Sequence, residues 1–267
     1  MSQPQRPDAE QHSEANQPLD LGELTLHGRV MPASNATFVG QIGEVKVVYK
    51  PVVGERPLWD FPDGTLADRE LATYLVSEAL GWRIVPQTLL RGGPHGPGMV
   101  QRWQEPDPDQ HPVDIVPAGR IPPGYLHVFD GVDARDREVS LVHEDSEPLR
   151  RMALFDLLVN NADRKGGHVL PMPGGHRFGV DHGVTFHVET KLRTVLWGWA
   201  GDPVPEVELE AVAALHEALA GHLGEQLAGL LTGAEVEALV MRCATLLRAS
   251  AMPVPQDRWP TIPWPPF

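Results

Sequence analysis

Cysteine is all but missing from this sequence. Cys243 stands alone in 267 residues, so no intrachain disulfide can form. It falls in an apolar helical pattern and reads as a small core residue rather than a nucleophile. Basic residues are scarce too: 22 Lys and Arg face 36 Asp and Glu, a formal net charge of −14. Such a chain repels nucleic acid and anionic membrane surfaces, and no dense Lys/Arg block offsets the repulsion. Long apolar runs are absent; none nears the ~20 residues of a membrane span. The opening "MSQPQRPDAEQHSEANQP" lacks the apolar segment of a signal peptide. These absences lead us to expect a soluble cytoplasmic protein with no nucleic-acid partner and no integral membrane association. The chain is long enough for one large domain or two lobes.

What is present has a legible order. Residues 1–18 are polar and read as a disordered tail. Alternating runs at Ala36–Ile42 and Glu44–Tyr49 flank Gly43 and predict an antiparallel hairpin, with a further strand at Leu21–His27. Leu71, Leu75, Val76, Ala79 and Leu80 share one helical face within 65–80, and Gly81 stops that helix. Two apolar runs around the turn of "LLRGGPHGPGMV" predict paired strands. Residues 19–103 therefore read as a small sheet with one helix. Residues 104–146, rich in Pro, Asp and Gly, read as loop with short elements, a linker or insert between lobes. Residues 147–267 read as mainly helical. Ser146-Glu147-Pro148 starts a helix to about Val159. Two short strands follow, ending near Asp181, and then helices at Glu206–Leu223 and Ala234–Ala249.

Between these elements lies "LFDLLVNNADRKGGHVL", where a polar cluster interrupts two apolar segments. Such a cluster is costly to build unless it faces water, a metal or a substrate. It completes an ordered set: Lys50 ending a strand, Glu70 on the next helix, Asp163 in a helix-following loop, and Asp181 ending a strand. Taken singly, each has an ordinary reading as a solvated charge or a turn residue. Together they are the groups that move phosphate from a nucleotide. A lysine offsets phosphate charge and a glutamate holds it. One aspartate orients or deprotonates the acceptor, and another ligates the magnesium that bridges the phosphates. The small residues of "MPASNAT", Ser34 and Asn35 among them, would let backbone N–H groups approach phosphate oxygens.

"NADRKGGHVL" followed by "GVDHGVTF" resembles the catalytic loop and metal-binding aspartate of atypical kinases in the phosphatidylinositol 3-/4-kinase superfamily. It is similar also to HipA-like kinases, and to an actinobacterial family distantly similar to these lipid kinases. The resemblance spans roughly Leu24 to Phe186, and only the two catalytic segments are specific. It implies an α+β, two-lobed protein-kinase-like fold, with a small antiparallel-sheet N-lobe carrying one helix and a mainly helical C-lobe. It implies ATP and Mg²⁺ as cofactors. Lys50 would contact nucleotide phosphates, paired by Glu70; Asp163 would be catalytic and Asp181 a metal ligand. Backbone groups of Val100, Gln101 and Arg102 would bond adenine.

The sequence departs from the family pattern twice. Lys165 replaces an expected His and keeps a donor for the transferring phosphate. His168 replaces an expected Asn, which points to Mn²⁺, to a single-metal site or to lost phosphotransfer, since Mg²⁺ prefers oxygen. Asn160 or Asn161 is an alternative source of that oxygen. The functional expectation is an ATP-dependent phosphotransferase acting on a hydroxyl of a protein or small molecule. The alternatives are a nucleotide-binding pseudokinase and an AMP transferase on the same fold. His168, His176, His182 and His187 fit no compact zinc spacing. Trp197 and Trp199 read as loop anchors or as the lining of a substrate groove.

Overall fold

The computed structural model describes residues 18–31, 35–56, 58–255 and 260–267. The expected tail (1–18, all but its last residue) and Ser34 lie outside the described residues. The chain divides into two compact units. One holds the described residues up to position 57 together with Gln87–Trp103; the other holds Leu58–Pro86 and the chain from Gln104 onward. The fold class is α+β, an antiparallel-sheet unit and a unit rich in helices, as the sequence implied.

The first unit is a five-stranded antiparallel sheet. Its strands are β1 (Leu24–Arg29), β2 (Phe38–Ile42), β3 (Val45–Pro51), β4 (Thr88–Gly93) and β5 (Gly96–Arg102), in the order β1-β2-β3-β5-β4. The two-residue connection between β2 and β3 needs a left-handed residue, and Gly43 supplies it with φ 59°. Along β3, Val45, Val47 and Tyr49 point into a core with Leu19, Leu24, Ile42 and Val100, while Lys46 points out and Lys50 is half-buried. Lys50 sits opposite Met99 in the β3–β5 register. The strands approach closely at Gly98, where a Cβ would stand 2.5 Å from the Lys50 carbonyl oxygen.

The second unit begins with α1 (Leu66–Ala79), whose capping box joins Thr65 to Asp68. This helix, grouped by the sequence reading with the first hundred residues, belongs to the second unit by its contacts. The segment 104–146, read as loop with short elements, carries a small sheet. It contains β6 (Val113–Pro117), β7 (Tyr125–Val132) and β8 (Glu138–Glu144), an antiparallel sheet in the order β6-β8-β7. Most of the Pro, Asp and Gly residues that suggested loop sit in its connections, with Asp114 and Pro117 in β6 and Asp130 and Gly131 in β7, while the central strand β8 buries Ser140, Leu141, Val142 and His143. Next comes α2 (Glu147–Val159), capped by Ser146 with Pro148 in its first turn. Leu149, Met152, Leu154, Phe155, Leu158 and Val159 are all fully buried on it. Each such side chain contributes about 1.5–3 kcal/mol of burial.

The short strands β9 (Val169–Pro171) and β10 (Arg177–Gly179) pair antiparallel across the Pro173–Gly175 turn. The expected helix Glu206–Leu223 is two helices, α3 (Glu206–Ala218) and α4 (His222–Ala228), because Gly221 breaks it with φ −123°, ψ −141°. The last helix is α5 (Gly233–Ala249), with a Thr232–Glu235 capping box. Among the described residues no helix is long and apolar enough to cross a membrane.

Candidate functional site

The site is built from the C-terminal end of α2. That helix is apolar nearly all round and carries one buried charge, Asp156. The helix stops at Asn160, which takes a left-handed conformation (φ 54°) that Asn tolerates. The chain then turns back so that Arg164 reaches Asp156. The Arg164 Nε donates to both carboxylate oxygens, at 3.1 and 2.9 Å, and Nη2 donates at 2.9 Å. Both side chains are wholly buried. Asp156 also accepts from Asn161 Nδ2 at 3.0 Å.

The remaining Arg164 donors fix the rest of the loop. Nη1 donates to the carbonyls of His168 (3.3 Å) and Val180 (3.2 Å). Nη2 donates to His182 Nε2 at 2.6 Å. A guanidinium only donates, so His182 Nε2 is the acceptor and its ring proton lies on Nδ1. That Nδ1 stands 3.9 Å from Glu70 Oε2. One buried arginine therefore ties together the end of α2, the loop 163–168 and the segment around Asp181.

On this frame stand the residues the sequence nominated. The Asp163 N–H donates to Asn161 Oδ1 at 3.0 Å, which fixes the backbone and leaves the carboxylate partly exposed. Lys165 Nζ lies 3.4 Å from Asp163 Oδ2. His168 Nδ1 donates to the Asp163 carbonyl at 2.9 Å, and its Nε2 faces Asp181 Oδ2 at 3.5 Å. Asp181 has φ 61°, a conformation that costs energy for most side chains and concentrates at functional sites. Burial pushes the Asp163 carboxyl above its usual range and the Asp181 charge adds to this; Lys165 and His168 pull the other way. Burial pushes His168 below its ordinary value, against the pull of Asp181 and Asp163. Asp163, Lys165, His168 and Asp181 thus form one electrostatic cluster, with buried Glu70 behind it near His182.

His168 Nε2 and the Asp181 carboxylate are two lone-pair donors facing one another, and they fit a shared divalent cation. They form a partial site: among the described residues no group of three His, Cys, Asp or Glu could hold a metal. Ligand oxygens, such as those of a nucleotide phosphate, would complete it.

Several nominated residues do other work. Asn160 Oδ1 accepts from the Lys191 N–H at 2.9 Å, and its Nδ2 donates to the carbonyls of His187 and Glu189. Asn161 is spent on Asp156 and Asp163. Neither amide supplies a metal-ligand oxygen. Val100, Gln101 and Arg102 lie inside β5, which is paired with β3 on one side and β4 on the other. Val100 and Gln101 are thus paired with strands on both sides, while Arg102 pairs with Val47 of β3 and its N–H donates to the Gln87 carbonyl. Gln101 is buried with its amide on Thr88 Oγ1. Asn35 Oδ1 accepts from the Arg56 N–H at 2.9 Å and ties its loop to residue 56. His176 contacts the Arg83 carbonyl and His187 packs on Phe61. The indole N–H groups of Trp197 and Trp199 donate to the Thr261 carbonyl and to Asp145, which anchors their segment.

The sequence reading gave no role to Asp156 or Arg164, and it read His182 only as a neighbour of the site. The signal for Asp156 was available: one carboxylate within "MALFDLLV" must find a cationic partner if the helix is buried all round.

Comparisons place the chain in a family. No protein-family profile matches the sequence. Protein Rv2133c of Mycobacterium tuberculosis (strain H37Rv) is 54% identical over 259 residues, covering 92% of this chain and 93% of that one. The chain belongs to the family of that mycobacterial protein. Among solved structures it is similar to the Golgi casein kinase, with a TM-score of 0.49 and 14% identity over 86% of this chain and 72% of that one. It is similar also to the Helicobacter pylori proinflammatory kinase CtkA, with a TM-score of 0.47 and 10% identity over 87% and 94%.

Proposed function

We propose that the chain is an ATP-dependent phosphotransferase of atypical-kinase type, close in its catalytic motifs to the phosphatidylinositol 3-/4-kinase superfamily. It acts in the cytoplasm on a hydroxyl of a protein or small molecule. The observation that carries this reading is the cluster of Asp163, Lys165, His168 and Asp181 around one buried arginine. Asp163 keeps a partly exposed carboxylate on this loop, pushed upward by burial, and is the group placed to accept the hydroxyl proton. In the reaction the acceptor oxygen bonds to the γ-phosphorus, the bond to the ADP oxygen breaks, and the hydroxyl proton passes to Asp163. Lys165 donates to the transferring phosphate. Asp181 and His168 would hold a divalent ion, Mg²⁺ or Mn²⁺, which would neutralise phosphate charge.

A nucleotide-binding pseudokinase is the second reading, favoured by Lys165 lying against the Asp163 carboxylate. Thermal shift tests both. ATP with metal at 100 times its Kd stabilises by about 2.7 kcal/mol. The wild type is expected to shift with ATP and metal, and Asp181→Ala not to. Turnover of labelled ATP that Asp163→Ala abolishes selects the enzyme. The absence of any nucleotide shift refutes both readings.

A further inference from the structure

We infer that the segment 261–267 is a positioning element of the proposed site, in which Phe267 and Pro266 hold the loop that carries Lys165 and His168. The inference deepens the proposed phosphotransfer reading and rests on it. The segment lies in the same compact unit as that loop. It meets the loop at Gly166, which follows Lys165 and opens the one-turn helix Gly166–His168.

The loop has two consecutive glycines, and they stand in different surroundings. A Cβ at Gly167 would meet nothing within 4 Å. A Cβ at Gly166 would collide with three atoms of the Phe267 ring. The ring therefore lies directly on the loop backbone. Beside it the Gly166 N–H donates to the Pro266 carbonyl at 2.8 Å. Gly166 is buried under this cover. Phe267 itself is 48% exposed, so truncating it opens no cavity in the core.

The start of the segment is tied to the same loop through an intermediate. Thr194 forms a parallel bridge with Arg164, whose N–H donates to the Arg193 carbonyl at 3.0 Å. The Thr194 N–H in turn donates to the Thr261 carbonyl at 3.0 Å, and the Trp197 indole N–H donates to the same oxygen at 2.9 Å. Composition suits the segment to this work. Pro263, Pro265 and Pro266 have restricted φ, so less entropy is lost on ordering. They lack N–H groups, so carbonyls dominate what the segment offers, and the surface beneath it supplies the donors. The loop is thus held from two sides: Arg164 grips it from within through Asp156, and 261–267 bears on it from outside. A contact between two residues that the proposed reaction uses fixes their relative placement, and reactivity is sensitive to shifts of about 1 Å.

The test measures Asp163-dependent turnover of labelled ATP in the full chain, in Phe267→Ala and in Phe267→Tyr. In Phe267→Ala, kcat and kcat/KM should fall together by about tenfold with KM for ATP unchanged, the pattern of lost transition-state alignment. Phe267→Tyr keeps the ring on Gly166 and should restore the rate. Amide exchange at Gly166 should quicken in Phe267→Ala while α5 keeps its protection, which separates local release from unfolding. Should Phe267→Ala lose protection throughout, Phe267→Leu takes its place with the same expected fall. Wild-type kcat in the truncated variant, or a raised one, overturns the inference and leaves the phosphotransfer reading standing. So does a fall that only follows the folded fraction. Absence of Asp163-dependent turnover in the wild type overturns both.

Discussion

Asp156→Ala is the sharpest perturbation of the frame beneath the site. Removing the carboxylate takes away the acceptor of three Arg164 hydrogen bonds and of the Asn161 amide. The guanidinium stays buried, left with the His168 and Val180 carbonyls and His182 Nε2. Both partners are fully buried, so solvent cannot relieve the stranded charge. Breaking such a pair costs about 3–5 kcal/mol. At roughly 2–4 °C per kcal/mol, the midpoint should fall by roughly 6–20 °C. Urea unfolding read by tryptophan fluorescence measures this, since buried Trp199 reports on the same unit. The double variant Asp156→Ala with Arg164→Met removes the stranded charge and should recover at least about 1 kcal/mol relative to the sum of the singles. A single-variant loss below about 1 kcal/mol with an unchanged m-value refutes the reasoning, because the arginine would then have another counter-charge.

Three further outcomes are expected. His143 is fully buried; its Nδ1 donates to the Glu144 carbonyl and its Nε2 accepts from the Gly198 N–H. Burial depresses its pKa below 6.5 despite the nearby Glu144 and Asp145. Its stabilising contribution is therefore fully present above pH 6.5 and is lost as pH falls through the lower folded value. Urea titrations from pH 7 to 5 should show a shallower loss in His143→Gln than in wild type; equal slopes refute this. Gly166→Ala would put a Cβ 2.4 Å from the Phe267 ring, which rests on the loop beside the Gly166-to-Pro266 hydrogen bond. A loss of about 1–3 kcal/mol is expected, and combining it with Phe267→Ala should cost no more than the worse single; full additivity in denaturation experiments counts against the contact. Gly98→Ala meets backbone, not a movable side chain, at 2.5 Å from Lys50 O and 2.7 Å from Pro51 Cα. It should cost about 2–3 kcal/mol and raise amide exchange along β3 and β5, whereas wild-type protection there would show that the strands do not approach so closely.

Local pattern carried much of the fold into the sequence. The capped helices α1, α2 and α5 and the Gly43 hairpin were readable because their signals span a few neighbouring residues. The β6–β8–β7 sheet was not, since the composition in and around its strands is that of loops. Nor was the double-sided pairing of β5, because strand order is a long-range property. At the site, Asp163, Lys165, His168 and Asp181 were legible from motif spacing. The Asp156–Arg164 pair was not, because the sequence does not say which way an arginine beside a functional aspartate will turn.

That direction divides the polar cluster "NNADRKGGH" into two sets with different work. Asn160, Asn161 and Arg164 are at most 1% exposed and are consumed in hydrogen bonds to the loop and its neighbours. Asp163, Lys165 and His168 keep 35%, 22% and 17% of their side-chain surface, and Asp181 keeps 55%. Burying the first set is worthwhile only if each donor and acceptor is matched, and the matching is what immobilises the second. The second set is held instead by ion pairs among its own members, Lys165 with Asp163 at 3.4 Å and His168 with Asp181 at 3.5 Å. Its side chains are the ones in reach of solvent and of a charged ligand, so the proposed phosphotransfer chemistry falls to them and not to the buried amides and Arg164, whose hydrogen bonds hold the loop.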